Sequence, residues 1–131
     1  MRAAWSSPGI ADIERLAAAA WRQIPAVFRA RVGNLAIRVV DFPDDETMEE
    51  MGLESPFDIL GLYRGVDLTR KSMLDVGADI DMVFLYRRPL LDYWAETGEP
   101  LDRLVLHVLV HEIGHHFGLS DADMDRIEKE A

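Results

Sequence analysis

Two histidines and a glutamate in this chain have spacings that suit metal chemistry. His111, Glu112 and His115 form the pattern H-E-x-x-H. On an α-helix, residues four apart lie about 40° apart around the axis, so both imidazoles can bind one metal ion. Glu112 lies about 100° from His111, where it can reach a water molecule beside the metal and accept its proton. The pattern predicts a zinc site with an adjacent general base, as in zinc hydrolases.

A third metal ligand is expected shortly after these residues. Gly118 can end the helix in a left-handed conformation. The chain would then turn, so that Asp121 could come back toward the metal. Asp121 could instead cap the final helix, with Ser120 as a rival cap, and two further aspartates follow nearby. The predicted metal ligands are His111, His115 and Asp121.

Two further histidines lie close to this pattern. His107 precedes His111 by four residues, and it is predicted to be a buried residue that packs against a ligand or hydrogen-bonds to it. His116 is predicted to bond carbonyl groups at the helix C-terminus. The alternative for His111 and His115 is a chance pair satisfied by core carbonyl groups. The adjacent Glu112 and the later glycine and aspartate make that explanation weaker.

The residues around the motif predict the helix that it needs. Pro100 suits the first helical position, and Asp102 lies near the positive end of the helix dipole. From Leu101 to Phe117 the chain has no internal proline. The face opposite the two histidines is apolar, and its residues are Leu106, Val110, Ile113 and Phe117. The first half of the helix is apolar nearly all round, which predicts a helix buried in the middle of the domain.

An amphipathic helix is predicted at the start of the chain. It runs from Ile10 to Arg31, and Pro25 should kink or divide it, because proline has no N–H to donate. Apolar residues recur there at helical spacing. The residues expected to face the core are Ile13, Leu16, Ala17, Ala20, Ile24, Val27 and Phe28.

Strands and short helices are predicted between these two long helices and after the second. Residues with β-branched and aromatic side chains favour strands at Leu35–Val40, Ile59–Gly65 and Asp81–Arg87. Short helices are predicted at Asp45–Met51, Pro89–Glu96 and Asp121–Glu130. Val66–Asp79 is a polar connection without a predicted structure. Tyr63 and Tyr86 could each polarise a carbonyl group, but packing on the sheet is preferred for both.

With these residues in view, the sequence resembles the small bacterial minimal zincins, metallopeptidases that carry H-E-x-x-H-x-x-G-x-x-D in their last helix. The similar residues run from the first helix through Gly61–Tyr63 and Val83–Pro89 to the motif, so the resemblance covers most of the chain. The motif is also similar to that of the metzincins, with Asp121 in place of their final histidine.

The resemblance implies an α+β fold. It implies a minimal zincin-like domain, in which a small mixed sheet packs with an N-terminal helix and a buried C-terminal zinc-binding helix. It also implies zinc as the cofactor and peptide hydrolysis as the activity. In zincins an edge strand above the zinc helix pairs with the extended substrate. The strand Asp81–Arg87 is therefore the expected substrate-binding strand.

Composition limits the class of protein. The 131 residues, 49% hydrophobic and 29% charged, predict a single domain over residues 1–131. A net charge of −10 argues against a nucleic-acid partner, and the absence of cysteine leaves nitrogen and oxygen as metal donors. The apolar run Leu16–Trp21 is too short for a signal peptide, and no run approaches the length of about 20 apolar residues that spans a membrane. A cytoplasmic location is expected.

Three functions are compatible with these observations, and the weakest of them is a metal-dependent hydrolase that acts on something other than peptides. The first is a zinc-dependent peptide-bond hydrolase, acting on a peptide or protein, in which zinc and Glu112 activate water. The alternative is a zinc-binding structural or partner-binding domain without catalytic turnover. Structural zinc sites are usually closed by four protein ligands and need no acid beside the first ligand. Glu112 therefore favours the enzyme.

Overall fold

A computed structural model of the chain describes residues 7–65 and 81–131. The polar connection Val66–Asp79 lies outside the described residues. The described residues form an α+β arrangement of six helices and three strands. In chain order these are α1 (Ile10–Gln23), α2 (Ala26–Val32), β1 (Leu35–Val40), α3 (Asp45–Met51), β2 (Gly61–Arg64), β3 (Asp81–Tyr86), α4 (Arg87–Thr97), α5 (Leu101–His116) and α6 (Asp121–Glu130).

The three strands form a mixed sheet in the order β1-β3-β2. β1 pairs parallel to β3, from Leu35 opposite Asp81 to Val40 opposite Tyr86. β2 pairs antiparallel to the other side of β3. The expectation that β3 is the substrate-binding edge strand is therefore wrong, because both of its sides already pair with neighbours. In the described part of the chain, β2 is an edge strand, and it packs against α5.

Pro25 divides the predicted N-terminal helix into α1 and α2. Its backbone is extended, with φ −52° and ψ 139°, so the helical register ends there. α1 packs on α5 and buries Ile13, Ala17 and Ala20, as the spacing predicts. The prediction that Val27 faces the core is wrong, since its side chain is 66% exposed. The face of α2 does not continue that of α1, because the two helices are separate.

α5 is the buried helix that the motif predicts. It contacts α1, α4, α6 and the sheet. Its buried residues are Leu104, Val105, Leu106, Val108, Leu109, Val110, Ile113 and Gly114. The two motif histidines lie on the remaining, more exposed side. The core of the protein therefore fixes the orientation of the helix that carries the motif.

α5 ends at the glycine that the sequence indicates. Gly118 has φ +68°, and the N–H of Leu119 donates to the carbonyl oxygen of Gly114 at 2.9 Å. The N–H of Asp123 then donates to Ser120 Oγ at 3.1 Å, so Ser120 caps α6. The alternative that Asp121 is the cap is therefore wrong. Asp121 is the first residue of α6 and is exposed.

α6 returns along α5 at close range. Met124 and Ile127 are its buried residues. A Cβ atom at Gly114 would overlap Met124 Sδ and lie 2.8 Å from Met124 Cγ, closer than side chains pack. The glycine in the middle of the motif therefore provides the space that α6 occupies. Within residues 7–65 and 81–131, each helix is too short or too polar to span a lipid bilayer.

Candidate active site

His111 and His115 project from the same side of α5, one turn apart. Their ring centroids are 5.8 Å apart, and the rings are nearly perpendicular. His111 Nε2 is buried and makes no hydrogen bond within the described residues, although Glu128 Oε2 lies 3.4 Å from it. A buried nitrogen without a hydrogen bond is costly in a native protein. The arrangement therefore fits a bound metal ion, which would satisfy this nitrogen.

The protonation of His111 also suits a metal ligand. Burial, together with the nearby ring of His107, lowers the pKa of His111. A lowered pKa favours the neutral imidazole, which is the form that binds a metal ion.

Glu112 is held by the edge strand of the sheet. Its Oε1 atom accepts a hydrogen bond of 3.2 Å from the backbone N–H of Tyr63 in β2. The N–H of Tyr86 in β3 donates to the carbonyl oxygen of Leu60, just before β2. In an antiparallel pair every second residue bonds to the partner strand, so Leu62 faces β3 and the N–H of Tyr63 points away from β3. Burial raises the pKa of Glu112, while the Tyr63 N–H and the nearby His115 oppose the rise. The carboxylate is thus oriented beside the histidine pair.

Gly61 sets the distance between β2 and α5. A Cβ atom there would lie 2.8 Å from Val108 Cγ1 and 3.0 Å from the carbonyl oxygen of Phe84. The backbone oxygen cannot move without disturbing the pairing of β2 with β3. A glycine at this position therefore allows Tyr63 to come within reach of Glu112.

Replacing Gly61 with alanine is expected to lower the free energy of unfolding by about 1–3 kcal/mol, the usual cost of overpacking. Chemical denaturation measures it. Val108→Ala removes one of the two groups that a Cβ atom at position 61 would clash with. Val108→Ala should therefore lower the free energy of unfolding less in the Gly61→Ala protein than in the wild type. Strictly additive effects of the two substitutions would contradict this explanation of the glycine.

A carboxylate on α6 approaches the histidines of α5. Glu128 Oε1 lies 2.8 Å from His107 Nδ1, and Glu128 Oε2 lies 3.4 Å from His111 Nε2. The rings of His107 and His111 are 4.0 Å apart. His107, His111 and Glu128 bring one ligand atom each within 4.8 Å of the others and could hold a metal ion. The prediction that His107 is buried is wrong, because its side chain is 50% exposed.

The structure separates Asp121, the predicted third ligand, from Glu128. Asp121 and Glu128 lie seven residues apart on α6, so they share a face and are separated by about 10 Å along the axis. The described group that could hold a metal contains neither Asp121 nor His115. The assignment of these two residues as ligands stays a prediction.

The position of Glu128 beside the histidines of α5 was not predicted from the sequence. The turn at Gly118 is the sequence feature from which this position could have been inferred. A helix that returns antiparallel along α5 brings a residue two turns after Asp121 back to the level of His107 and His111. That inference needs the return direction of α6, which the sequence alone does not specify.

The two tyrosines have different surroundings. Tyr86 is 2% exposed, so the prediction that it packs within the fold is confirmed. The ring of Tyr63 stacks on that of His116, with centroids 4.0 Å apart and planes inclined by 21°. Burial, together with the nearby carboxylate of Asp81, raises the pKa of the Tyr63 hydroxyl. His116, predicted to bond helix carbonyl groups, thus lies where it supports the edge strand at Tyr63.

An open groove runs past these groups. Residues 58–61 line one side of it, and the other side is formed by His107, Val108, His111 and Glu112 of α5. Its volume is about 270 Å³. A molecule bound there would contact the histidine that fits a metal and the oriented carboxylate at once. The arrangement can bring a metal ion, a general base and a substrate together.

Comparison with known proteins agrees with this geometry. A family model described as zincin-like metallopeptidase matches residues 32–131. The match begins at the end of α2 and extends through the sheet, the motif and α6. No curated protein matches the chain. Membership in this family implies zinc binding, in agreement with the nitrogen and oxygen donors of the site. Because the matched region covers most of the chain, the protein belongs to the zincin-like metallopeptidase family.

Proposed function

We propose that this protein is a zinc-dependent peptide-bond hydrolase. The observation that carries the proposal is the position of Glu112, whose carboxylate is fixed by the N–H of Tyr63 beside the motif histidines. A structural zinc site has no use for an oriented acid next to its first ligand. The family match adds that the related proteins are described as metallopeptidases.

The metal would be held by His111 and His115 together with a carboxylate that follows Gly118, for which the sequence indicates Asp121. The buried Nε2 atom of His111, which makes no hydrogen bond within the described residues, supports His111 as one of these ligands. A zinc ion bound there would lower the pKa of a bound water molecule to about 7 and would polarise a carbonyl oxygen.

Glu112 acts as the general base. It takes a proton from the water molecule as the water oxygen attacks the peptide carbonyl carbon. When the C–N bond breaks, Glu112 returns that proton to the leaving amine, so the water is divided between the two products. The Tyr63 N–H holds the carboxylate in the orientation that both transfers need.

The substrate is proposed to lie in the groove between residues 58–61 and the exposed side of α5. A peptide there would run beside β2 and pass Glu112. The outward N–H of Tyr63 is already bonded to Glu112, so the substrate would pair with other groups along this edge. With a net charge of −10, the protein attracts basic peptides at long range and repels acidic ones.

Metal analysis and a cleavage assay together test the proposal. Purified protein should contain about one zinc per chain and should cleave a mixed peptide library near neutral pH. His111→Ala and His115→Ala should remove both the zinc and the cleavage. The neighbouring His116 stacks on Tyr63 and is not among the predicted ligands, so His116→Ala should keep its zinc.

The outcomes separate the two candidate functions. Cleavage that a chelator abolishes and zinc restores would support the hydrolase. Stoichiometric zinc without chelator-sensitive cleavage across a broad library would instead indicate a zinc-binding module without turnover. Equal zinc loss in the His115→Ala and His116→Ala proteins would contradict the specific use of His115.

A further inference from the structure

We propose that His116 is a positioning residue for catalysis, which acts on Glu112 through Tyr63. Glu112 and His116 lie four residues apart on α5, so both project from the same side of the helix. Both contact the same residue of β2, Glu112 at its backbone N–H and His116 at its ring. The proposal rests on the proposed function, in which Glu112 is the general base.

The N–H of Tyr63 is the contact that fixes the Glu112 carboxylate. It donates to Glu112 Oε1 at 3.2 Å, and within residues 7–65 and 81–131 it is the one hydrogen bond that this carboxylate accepts. This length is the upper end of the usual range, so a shift of β2 by roughly 0.4 Å would break the bond. The orientation of the base therefore depends on how firmly Tyr63 is held.

Three groups surround the ring of Tyr63. The imidazole of His116 stacks on its face, with centroids 4.0 Å apart and planes inclined by 21°. The ring of Phe117 meets it edge to face, with centroids 6.5 Å apart. The carboxylate of Asp81 lies near its hydroxyl group. Since only two torsions separate a tyrosine ring from its backbone, a ring that cannot move restricts the position of its own N–H.

Gly65, the residue directly after β2, leaves room for the stacked rings. A Cβ atom at position 65 would lie 3.3 Å from His116 Cε1 and 3.8 Å from Tyr63 Cε1. The first of these distances is shorter than ordinary van der Waals contact. A larger residue would therefore press the imidazole out of its place on Tyr63.

The exposure of His116 separates this role from a structural one. His116 is exposed at the surface, and substitutions at exposed positions usually change stability little. It is not among the predicted metal ligands, and its ring is occupied by the stack with Tyr63. A lower rate after its removal would therefore reflect the contact with Tyr63, with the fold and the metal site retained.

Steady-state kinetics of the zinc-loaded protein test the proposal. His116→Ala is expected to lower kcat by about 10–100-fold, since a misplacement of about 1 Å in an active site can cost roughly 100-fold. KM should stay unchanged, because the orientation of the base matters only in the transition state. Zinc content and melting temperature should match those of the wild type. His116→Phe keeps a flat ring that can stack, so it should recover most of kcat.

Hydrogen exchange of single amides, measured by NMR, tests the same contact without an activity assay. The N–H of Tyr63 should be protected in the wild type by its bond to Glu112. It should exchange at least about 10-fold faster in His116→Ala, because local opening becomes easier, and slow down again in His116→Phe. The N–H of Tyr86, which donates to the carbonyl oxygen of Leu60 at 3.0 Å, is the reference and should not change.

A double-mutant cycle tests whether His116 acts through Glu112. The Glu112→Gln protein has no base left to orient, so His116→Ala should lower its residual kcat by less than about twofold. The matched background is Glu130→Gln, which changes an exposed acid at the end of α6. There, His116→Ala should have its full effect.

Unchanged kcat in His116→Ala would overturn this proposal and leave the proposed hydrolase intact. A fall in kcat that His116→Phe does not restore would also overturn it, because the imidazole nitrogens would then be needed. Equal acceleration of the Tyr63 and Tyr86 amides would contradict it as well, since all of β2 would then have loosened. Absence of cleavage by the wild type would overturn the proposed hydrolase and, with it, the catalytic role of His116.

Discussion

Replacing Glu112 with glutamine is expected to slow peptide hydrolysis by at least about 100-fold, the lower range for the loss of a general base. Zinc content and melting temperature should stay at wild-type values. The glutamine amide has nearly the same shape, and its oxygen can still accept the hydrogen bond from Tyr63. It cannot accept a proton from water. Initial rates on one cleaved peptide, with zinc-saturated proteins, measure the effect.

The control for this experiment is Glu130→Gln, which changes an exposed acid far along α6 and should keep full activity. Cleavage that survives unchanged in Glu112→Gln would indicate a different base or a contaminating protease. Loss of zinc in Glu112→Gln would show that the side chain holds the metal site together, in contradiction to its assignment as a base alone.

The second large effect is expected in the core. Replacing Ala17 with aspartate should prevent cooperative folding, because Ala17 is 0% exposed where α1 packs on α5. A charge there would be removed from water without a partner, and the fully buried position leaves no room for a longer side chain. The expected loss exceeds about 4–5 kcal/mol, a large part of the stability of most domains. Circular dichroism and denaturation curves would show it.

The adjacent alanine is the matched control. Ala18 is exposed on the same helix, so Ala18→Asp adds the same group to water. The free energy of unfolding should fall by no more than about 0.7 kcal/mol, which is the difference in helix propensity between alanine and aspartate. Similar behaviour of the two variants would mean that α1 does not pack on α5 through the face that contains Ala17.

The local elements could be predicted because short-range rules determine them. The proline at position 25 divides α1 from α2, and Gly118 ends α5 with a positive φ. The periodicity of α5 identified its buried face, including Val110 and Ile113. Each of these predictions depends on residues within a few positions of one another, where propensity and hydrogen bonding act directly.

The order of the strands could not be predicted in the same way, since it depends on pairing between distant residues. The prediction of β3 as an edge strand ignored a sequence signal. β3 is apolar from Met82 to Tyr86, whereas edge strands more often carry charged residues, so its composition favours a central strand. β2 is only four residues long and ends with Arg64, which suits an edge.

In the candidate site, too, the local features could be predicted from the sequence and the long-range contacts could not. The motif residues were found from their spacing on one helix. The bond from Tyr63 to Glu112 joins residues 49 positions apart, and the contact of Glu128 with His111 depends on how α6 docks. Neither contact leaves a periodic pattern in the sequence, because each is produced by tertiary packing.

The connection between α5 and α6 has a consequence for the order of folding. The two helices are joined by residues 117–120, so their contacts are local in the chain. The hydrogen bond that orients Glu112 comes from Tyr63 of β2, which lies 49 positions earlier in the chain. Local contacts form sooner than distant ones during folding. We therefore expect α6 to pack against α5 before Glu112 accepts its hydrogen bond from Tyr63 of β2. A partly folded chain would then have α5 and α6 packed together while Glu112 still lacks its hydrogen bond from Tyr63.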